Sequence, residues 1–246
     1  MVFMKILVFD LIGKAAHFRK FYTNSSSLSY YFPPKTTLAG LVAGILGFER
    51  DSYYEIFDEP AKIGVKIATP LRKKINTVSY LMIKKSESKN LSAFRGLKDR
   101  TLVPIEFVYP KNAENIIYRI YFSHEDNDLF QKLKIRLKNE KFVYPPYMGI
   151  TELPAKIIFL GEFQAKKIYE EELEVSTVLK NNYFEKILEL NNIQRDRIPE
   201  SFKKGREIKK VSDYIFSPES IKIKIIRSKD SVFFNLKDLN EIITFL

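Results

Sequence analysis

Between Gly13 and Gly47 the chain gathers Lys14, His17, Arg19, Lys20, Lys35, the consecutive Ser25, Ser26 and Ser27, the hydroxyls of Thr36 and Thr37, and the rings of Tyr22, Tyr30, Tyr31 and Phe32. No carboxylate occurs in the stretch. Two kinds of chemistry suit this set. Cations, hydroxyls and the free amides of a helix start grip phosphate, and aromatic faces stack on unpaired bases. Metal-independent RNA cleavage needs a base for the 2′-hydroxyl, an acid for the leaving 5′-oxygen and a cation for the phosphorane, a set that His17, Lys14 and Tyr22 can supply. A lone His in a basic loop is more often a contact than a catalyst, so binding is the expectation and cleavage the alternative.

Other chemistries have little to work with. Cysteine is absent, which removes disulfides, iron–sulfur clusters and thiolate zinc. The 2 histidines, His17 and His124, are far apart and stand in no metal-ligand spacing, and no Walker A, Ser-His-Asp or clustered carboxylate pattern is present. No cofactor or metal is expected. The opening residues carry Asp10 inside an apolar run and read as a strand, not a signal peptide. The longest apolar run, Leu38 to Phe48, is too short to span a bilayer, so a cytoplasmic protein without a membrane partner is expected.

Charge points to a polyanion. The chain carries 41 Lys and Arg against 30 Asp and Glu, a net +11, and the first hundred residues hold 17 against 8 of these. The excess therefore sits in the N-terminal half, as a binding face requires. Between Leu71 and Arg100 a basic arm carries Arg72, Lys73, Lys74, Arg95 and Arg100 among nine cations against only Glu87 and Asp99. The RNA-binding set is then Lys14, His17, Arg19, Lys20, Ser25 to Ser27, Tyr30, Lys35 and Thr36 on the loop, with those five cations on the arm.

The elements that must position these residues follow from local pattern. Phe3 to Ile12 reads as a buried central strand, Lys14 to Lys35 as a long structured loop, and Leu38 to Gly47 as a helix capped by Thr36 or Thr37. A short helix at Ser52 to Asp58 and strands at Lys62 to Ala68 and Asn76 to Ile83 come next. Leu102 to Tyr109 and Ile116 to Phe122 flank a turn and suggest an antiparallel hairpin. Asp126 or Asn127 caps a helix reaching about Asn139, with Leu129, Phe130, Leu133 and Leu137 on one face. This order suits an α+β protein with a ferredoxin-like (RRM-like) N-terminal domain, whose open sheet face is a common RNA platform. Tyr144 to Gly149 is a turn-rich joint, which divides the chain into residues 1–147 and a smaller β-rich domain, 148–246. The latter has strands at Ala155 to Phe163, Glu174 to Val178, Tyr214 to Phe216, Ile221 to Ile226 and Val232 to Asn235, and a helix around Tyr183 to Leu190.

The loop and helix, G-x-x-x-H-F-R-K followed by S-S-S-L-S-Y-Y-F-P-P-K-T-T-L-x-G-L-V-A-x-I-L-G, resemble the N-terminal signature of the Cas-five family of CRISPR-associated proteins, particularly its type I-B branch. Arg100-Thr101, Tyr118 to Tyr121, Tyr147 to Gly149, Ile198 to Phe202 and Phe245-Leu246 agree with it. The resemblance implies a RAMP-superfamily subunit of a Cascade surveillance complex, holding the 5′ handle of the CRISPR RNA beside the large and backbone subunits, with target DNA bound in the same complex. It also implies that the basic arm is a thumb bent over the guide. The type I-C branch cleaves precursor RNA with a Tyr, Lys and His set that this chain does not clearly match. Cleavage, and a purely structural adaptor role, remain the alternatives.

Overall fold

The computed structural model describes residues 3–23, 27–81, 100–189 and 192–246. Strand β1 (Phe3–Gly13) is buried over most of its length and hydrogen-bonded along both edges, the central position its unbroken apolar run requires. Two short strands, β2 (Phe18–Arg19) and β3 (Ser29–Tyr30), pair with each other in the loop. Helix α1 (Lys35–Leu46) then starts earlier than its threonines suggest. Its cap is Pro34, whose carbonyl accepts the amides of Thr37 and Leu38, both at 3.0 Å, and whose missing N–H is not needed ahead of a helix. A four-residue helix, α2 (Tyr54–Phe57), follows.

Strands β4 (Ala61–Ile67), β5 (Leu71–Leu81), β6 (Arg100–Pro110) and β7 (Ile116–His124) precede α3 (Asn127–Lys138), and β8 (Lys156–Ile168) returns along the free edge of β1. Asp126 caps α3 as its position predicts, accepting the amides of Asp128 at 2.8 Å and Leu129 at 3.1 Å, which is worth about 1 kcal/mol. Leu129, Phe130, Leu133 and Leu137 join α1 in one core against the sheet. The strands stand in the order β8-β1-β7-β4, every neighbour antiparallel. The fold is α+β.

The expected hairpin between Leu102 to Tyr109 and Ile116 to Phe122 does not form. Instead β6 pairs with β5 from Leu71–Pro110 to Leu81–Arg100, and β7 inserts between β1 and β4. Burial decides the difference. Ile116, Tyr118, Ile120, Tyr121 and Phe122 are all fully buried and demand a central strand, whereas β6 exposes Arg100, Leu102 and Pro104 and suits a two-stranded ribbon.

The remaining strands are β9 (Glu172–Val175), β10 (Leu179–Lys180), β11 (Phe184–Ile187), β12 (Gln194–Phe202), β13 (Ile208–Phe216), β14 (Ile223–Arg227), β15 (Phe233–Leu236) and β16 (Glu241–Ile243). Five of them extend the main sheet to β11-β14-β9-β16-β15-β8-β1-β7-β4, so strands from both sides of residue 147 share it, and β10-β13-β12 form a separate sheet. The helix expected near Tyr183 to Leu190 is absent: a 3-10 turn at Asn181–Tyr183 leads into β11. Phe184 and Ile187 have helical spacing, but the open backbone edge of β14 captures them, opposite Arg227 and Ile225.

The segments that follow β9 and β16 cross over to the β4 edge of this sheet. Val178 N–H donates to Val65 at 2.9 Å and Leu246 N–H to Ile63 at 2.8 Å, which occupies the outer edge of β4. The sheet face expected as an open RNA platform is therefore interior, with Ile6, Val8 and Tyr121 packed against Phe234, Leu236, Ile243 and Phe245. Its polar groups are paired inside: Arg119 holds Asp10 through two bonds of 2.9 and 3.1 Å, and Glu241 accepts from Lys66 at 2.6 Å and from the Tyr121 hydroxyl. Gly64 sits beneath the crossing, where a Cβ would lie 2.7 Å from the Thr244 carbonyl oxygen. Gly64→Ala is therefore expected to lower the unfolding free energy by about 1–3 kcal/mol in urea denaturation, with the fold retained.

Candidate nucleic-acid interface

The loop after β1 is stitched to the outer edge of β6. Ala16 and Val108 exchange backbone hydrogen bonds of 2.9 and 2.8 Å, and the Glu106 amide donates to the Ser27 carbonyl at 2.9 Å. Between these contacts lies His17, 3% exposed. Its Nδ1 is 2.8 Å from the Glu106 carbonyl, which can only accept, so Nδ1 carries the proton and Nε2 accepts from the Ser27 hydroxyl at 3.0 Å. Burial, aided by the nearby charges of Arg19 and Lys73, pushes the imidazole pKa below 6.5 against the raising effect of the Glu106 contacts. The backbone is held as well. His17 N–H donates to the Met148 carbonyl at 3.0 Å, and Gly149, at φ 94°, lies so close that a Cβ would meet the His17 carbonyl oxygen at 2.1 Å.

Glu106 joins the loop to the ribbon through its side chain too. Its Oε2 accepts the Ser29 amide at 2.9 Å and faces Lys73 Nζ at 3.0 Å. Lys73 also donates to the Ser29 carbonyl and stands 4.4 Å from the centre of the Tyr31 ring; burial lowers its pKa. Lys73 is thus an anchor of the ribbon.

Lys20 and Tyr22 converge on Asp196 of β12, a residue that charge counting alone does not single out. Lys20 Nζ lies 2.6 Å from one carboxylate oxygen, Tyr22 donates to the other at 3.2 Å, and Lys20 stands 5.5 Å from the ring centres of both Tyr22 and Tyr30. Burial works against the Lys20 charge, but the Asp196 and Tyr22 contacts outweigh it and raise the pKa. Tyr30 is 1% exposed and donates to the Arg197 carbonyl at 3.0 Å, with its phenol pushed up by burial. Lys35 is also inside: its ammonium donates to the Asp58 carbonyl at 2.6 Å, and burial followed by the Lys180 charge brings its pKa down to about 8. Nearby, Glu200 accepts from Lys180 at 2.8 Å and Ser212 at 2.7 Å. Burial favours its neutral form, yet these partners and Lys210 hold its pKa at about 2.

The remaining predicted residues lie further out. Arg19, Arg72, Lys74 and Arg100 are exposed, Arg19 donating to the Thr23 carbonyl at 3.3 Å. Lys14 is exposed and paired with Glu114. Thr36 is half-buried in a groove of about 830 Å³ between α1 and the Tyr144–Thr151 region. Ser25, Ser26 and Arg95 lie outside the described residues. His17, Lys14 and Tyr22 do not converge: their side chains engage Glu106 and Ser27, Glu114, and Asp196 respectively. Among the described residues no group of three His, Asp or Glu could hold a metal, and no helix is long and apolar enough to cross a membrane.

Residues 6–207 match the family described as CRISPR-associated protein (Cas_Cas5). The fold is similar to a crystal structure of a CRISPR protein from Archaeoglobus fulgidus, with a TM-score of 0.59 and 14% identity over 99% of this chain and 100% of that one. It is also similar to a chain of a CRISPR RNA-guided surveillance complex, with a TM-score of 0.54 and 9% identity over 90% and 91% of the two chains. At these identities the likeness is one of fold. No curated protein matches the sequence.

The geometry of His17 gives a signed pH dependence. Its folded pKa is depressed, so its neutral form contributes fully above the unfolded value of 6.5, and the contribution is lost as pH falls from there toward the folded value. Denaturation curves across pH 7.5 to 5 should show stability falling with acid, and His17→Gln should flatten that slope.

Proposed function

Because the chain belongs to the CRISPR-associated Cas_Cas5 family, we propose that it is a non-catalytic subunit of a CRISPR RNA-guided effector complex, a type I-B-like Cascade, in which it holds the 5′ handle of the guide RNA. The observation that carries this reading is the β5–β6 ribbon. It stands outside the main sheet, runs 11 residues per strand or about 35 Å, and presents Arg72, Lys74 and Arg100 to solvent. Arg72, Lys74 and Arg100 pair with no carboxylate among the described residues and face the solvent where phosphates would lie, whereas Lys20, Lys35 and Lys73 are committed within the protein. The ribbon then acts as the thumb over the guide, with Arg19 beside its base. The backbone and large subunits, and target DNA within the complex, are the partners this role requires, and the cytoplasm is its compartment.

The core that carries the thumb is of ferredoxin-like type. What supports this is the succession β1, α1, β4, β7, α3, β8 with strand order β8-β1-β7-β4. On this reading residues 1–147 supply the RAMP domain except for its last strand, and 148–246 form a β-rich second segment that lends that strand, β8, and adds further strands to the same sheet.

Endonucleolytic processing is the weaker alternative, because the one imidazole it relies on is neutral, buried and bonded at both nitrogens. A structural adaptor that binds acidic protein is the other.

Filter binding with a repeat-derived 5′-handle RNA tests the proposal. Arg72→Gln and Lys74→Gln together should weaken binding and shallow the plot of log affinity against log salt by about 0.7 for each phosphate contact removed. Unaltered affinity and slope would sink the thumb assignment. The same RNA should remain intact after prolonged incubation in EDTA; cleavage that His17→Ala abolishes would favour the endonuclease.

A further inference from the structure

Where the loop meets β12, the surface holds a depression of about 660 Å³ lined by Phe21, Tyr22, Arg195, Asp196, Arg197, Val211 and Asp213. Phe21 and Tyr22 are 41% and 50% exposed, and their rings meet edge to face with centroids 5.2 Å apart. Two large rings side by side on a turn are costly to leave in water and call for a covering partner. Tyr22 is already oriented, since its hydroxyl donates to Asp196 and Lys20 stands against its ring.

The charge around these rings selects the partner. Both carboxylates of the depression are neutralised, Asp196 by Lys20 at 2.6 Å and Asp213 by Arg195 at 2.6 Å. Arg197 is exposed and, among the described residues, pairs with no carboxylate. With Lys20 counted behind Asp196, the balance around the depression is therefore one positive charge beside two aromatic faces. An acidic or apolar protein segment matches only one half of that surface, whereas a nucleotide has a π-face for the rings and an anion for the guanidinium.

We infer that this depression seats one unpaired nucleotide of RNA, its base stacked on the Phe21–Tyr22 pair and its phosphate against Arg197. The inference rests on the RNA-binding reading above and adds to it a base contact that the ribbon's cations do not supply. Its size suits the role, because small-ligand sites commonly span about 300–1,000 Å³. The side chains that set it up lie on segments 20–22 and 195–197, joined by the Lys20–Asp196 pair and the Tyr22–Asp196 hydrogen bond.

The test uses the full chain and an eight-nucleotide single-stranded RNA of handle sequence carrying 2-aminopurine at each position in turn. Stacking should quench the fluorophore at one position in the unsubstituted protein, with no variant needed. An RNA abasic at that position then separates base from backbone. Phe21→Ala should weaken binding of the base-bearing RNA about tenfold, relieve the quench and leave affinity for the abasic RNA unchanged. Arg197→Gln should weaken both RNAs equally. Unquenched fluorescence at every position, or full affinity of Phe21→Ala for the base-bearing RNA, overturns the seat while leaving the ribbon's role standing, and assigns the depression to a protein partner. Failure of the unsubstituted protein to bind any of these RNAs overturns both readings. Unchanged thermal midpoints identify variants that keep the fold.

Discussion

The contact between Glu106 and the loop after β1 organises everything that faces outward. One residue of β6 supplies a backbone amide to Ser27, a carbonyl to His17 and a carboxylate to Ser29 and Lys73. These four attachments fix the loop, the foot of the ribbon and the imidazole as one unit. Each partner is half-buried or buried, so each bond stands in a medium where an orphaned donor or acceptor is expensive. Replacing the Glu106 side chain would leave the Ser29 amide unpaired and Lys73 without its carboxylate, while the two backbone bonds remain. The glycine at 149 belongs to the same unit, because no other residue lets the Met148 segment lie directly under His17.

A second theme is how the chain distributes its excess of cations. Lys20, Lys35, Lys73 and Lys180 are drawn into the protein and satisfied by Asp196, a carbonyl, Glu106 and Glu200. Buried charges held this way specify geometry more than they add stability. Lys20 joins the loop to β12 across 176 positions, while Lys35 ties α1 to the Asp58 turn, Lys73 ties β5 to β6 and Lys180 ties β10 to β12. On the ribbon and at Arg19 and Arg197, cations stay in solvent and pair with no carboxylate among the described residues.

Much of the local structure was legible in the sequence. The Asp126 cap, the apolar face of α3 and the central position of β1 follow from short-range pattern and agree with the structure. Partner choice was not legible, because a strand's neighbours depend on burial along its whole length. So β6 read as the partner of β7 when it belongs to β5. β12 went unread because charges at Arg195, Asp196 and Arg197 mask its alternation and Pro199 argues against a strand; the ladder accommodates that proline at a shift in register. For the same reason, composition located the basic loop but could not tell Lys20 from Arg19. The carboxylate that separates them lies 176 positions away.

The ribbon also sets up an uneven distribution of opening energies. Past its attachments at Val108 and Ile105 its described residues have only their own ladder, and Ile75, Leu81 and Leu102 are 60%, 55% and 69% exposed. A two-stranded ladder with little apolar cover is marginal in water, whereas β1 opens only when the whole sheet does. Amide hydrogens around Ser79 and Leu102 therefore exchange through local opening, while those of Val8 and Phe9 await global unfolding. On the RNA-binding reading, a polyanion laid along the ribbon would cover these strands, and its arrival would register as protection of amide hydrogens that the ribbon alone leaves open to local exchange.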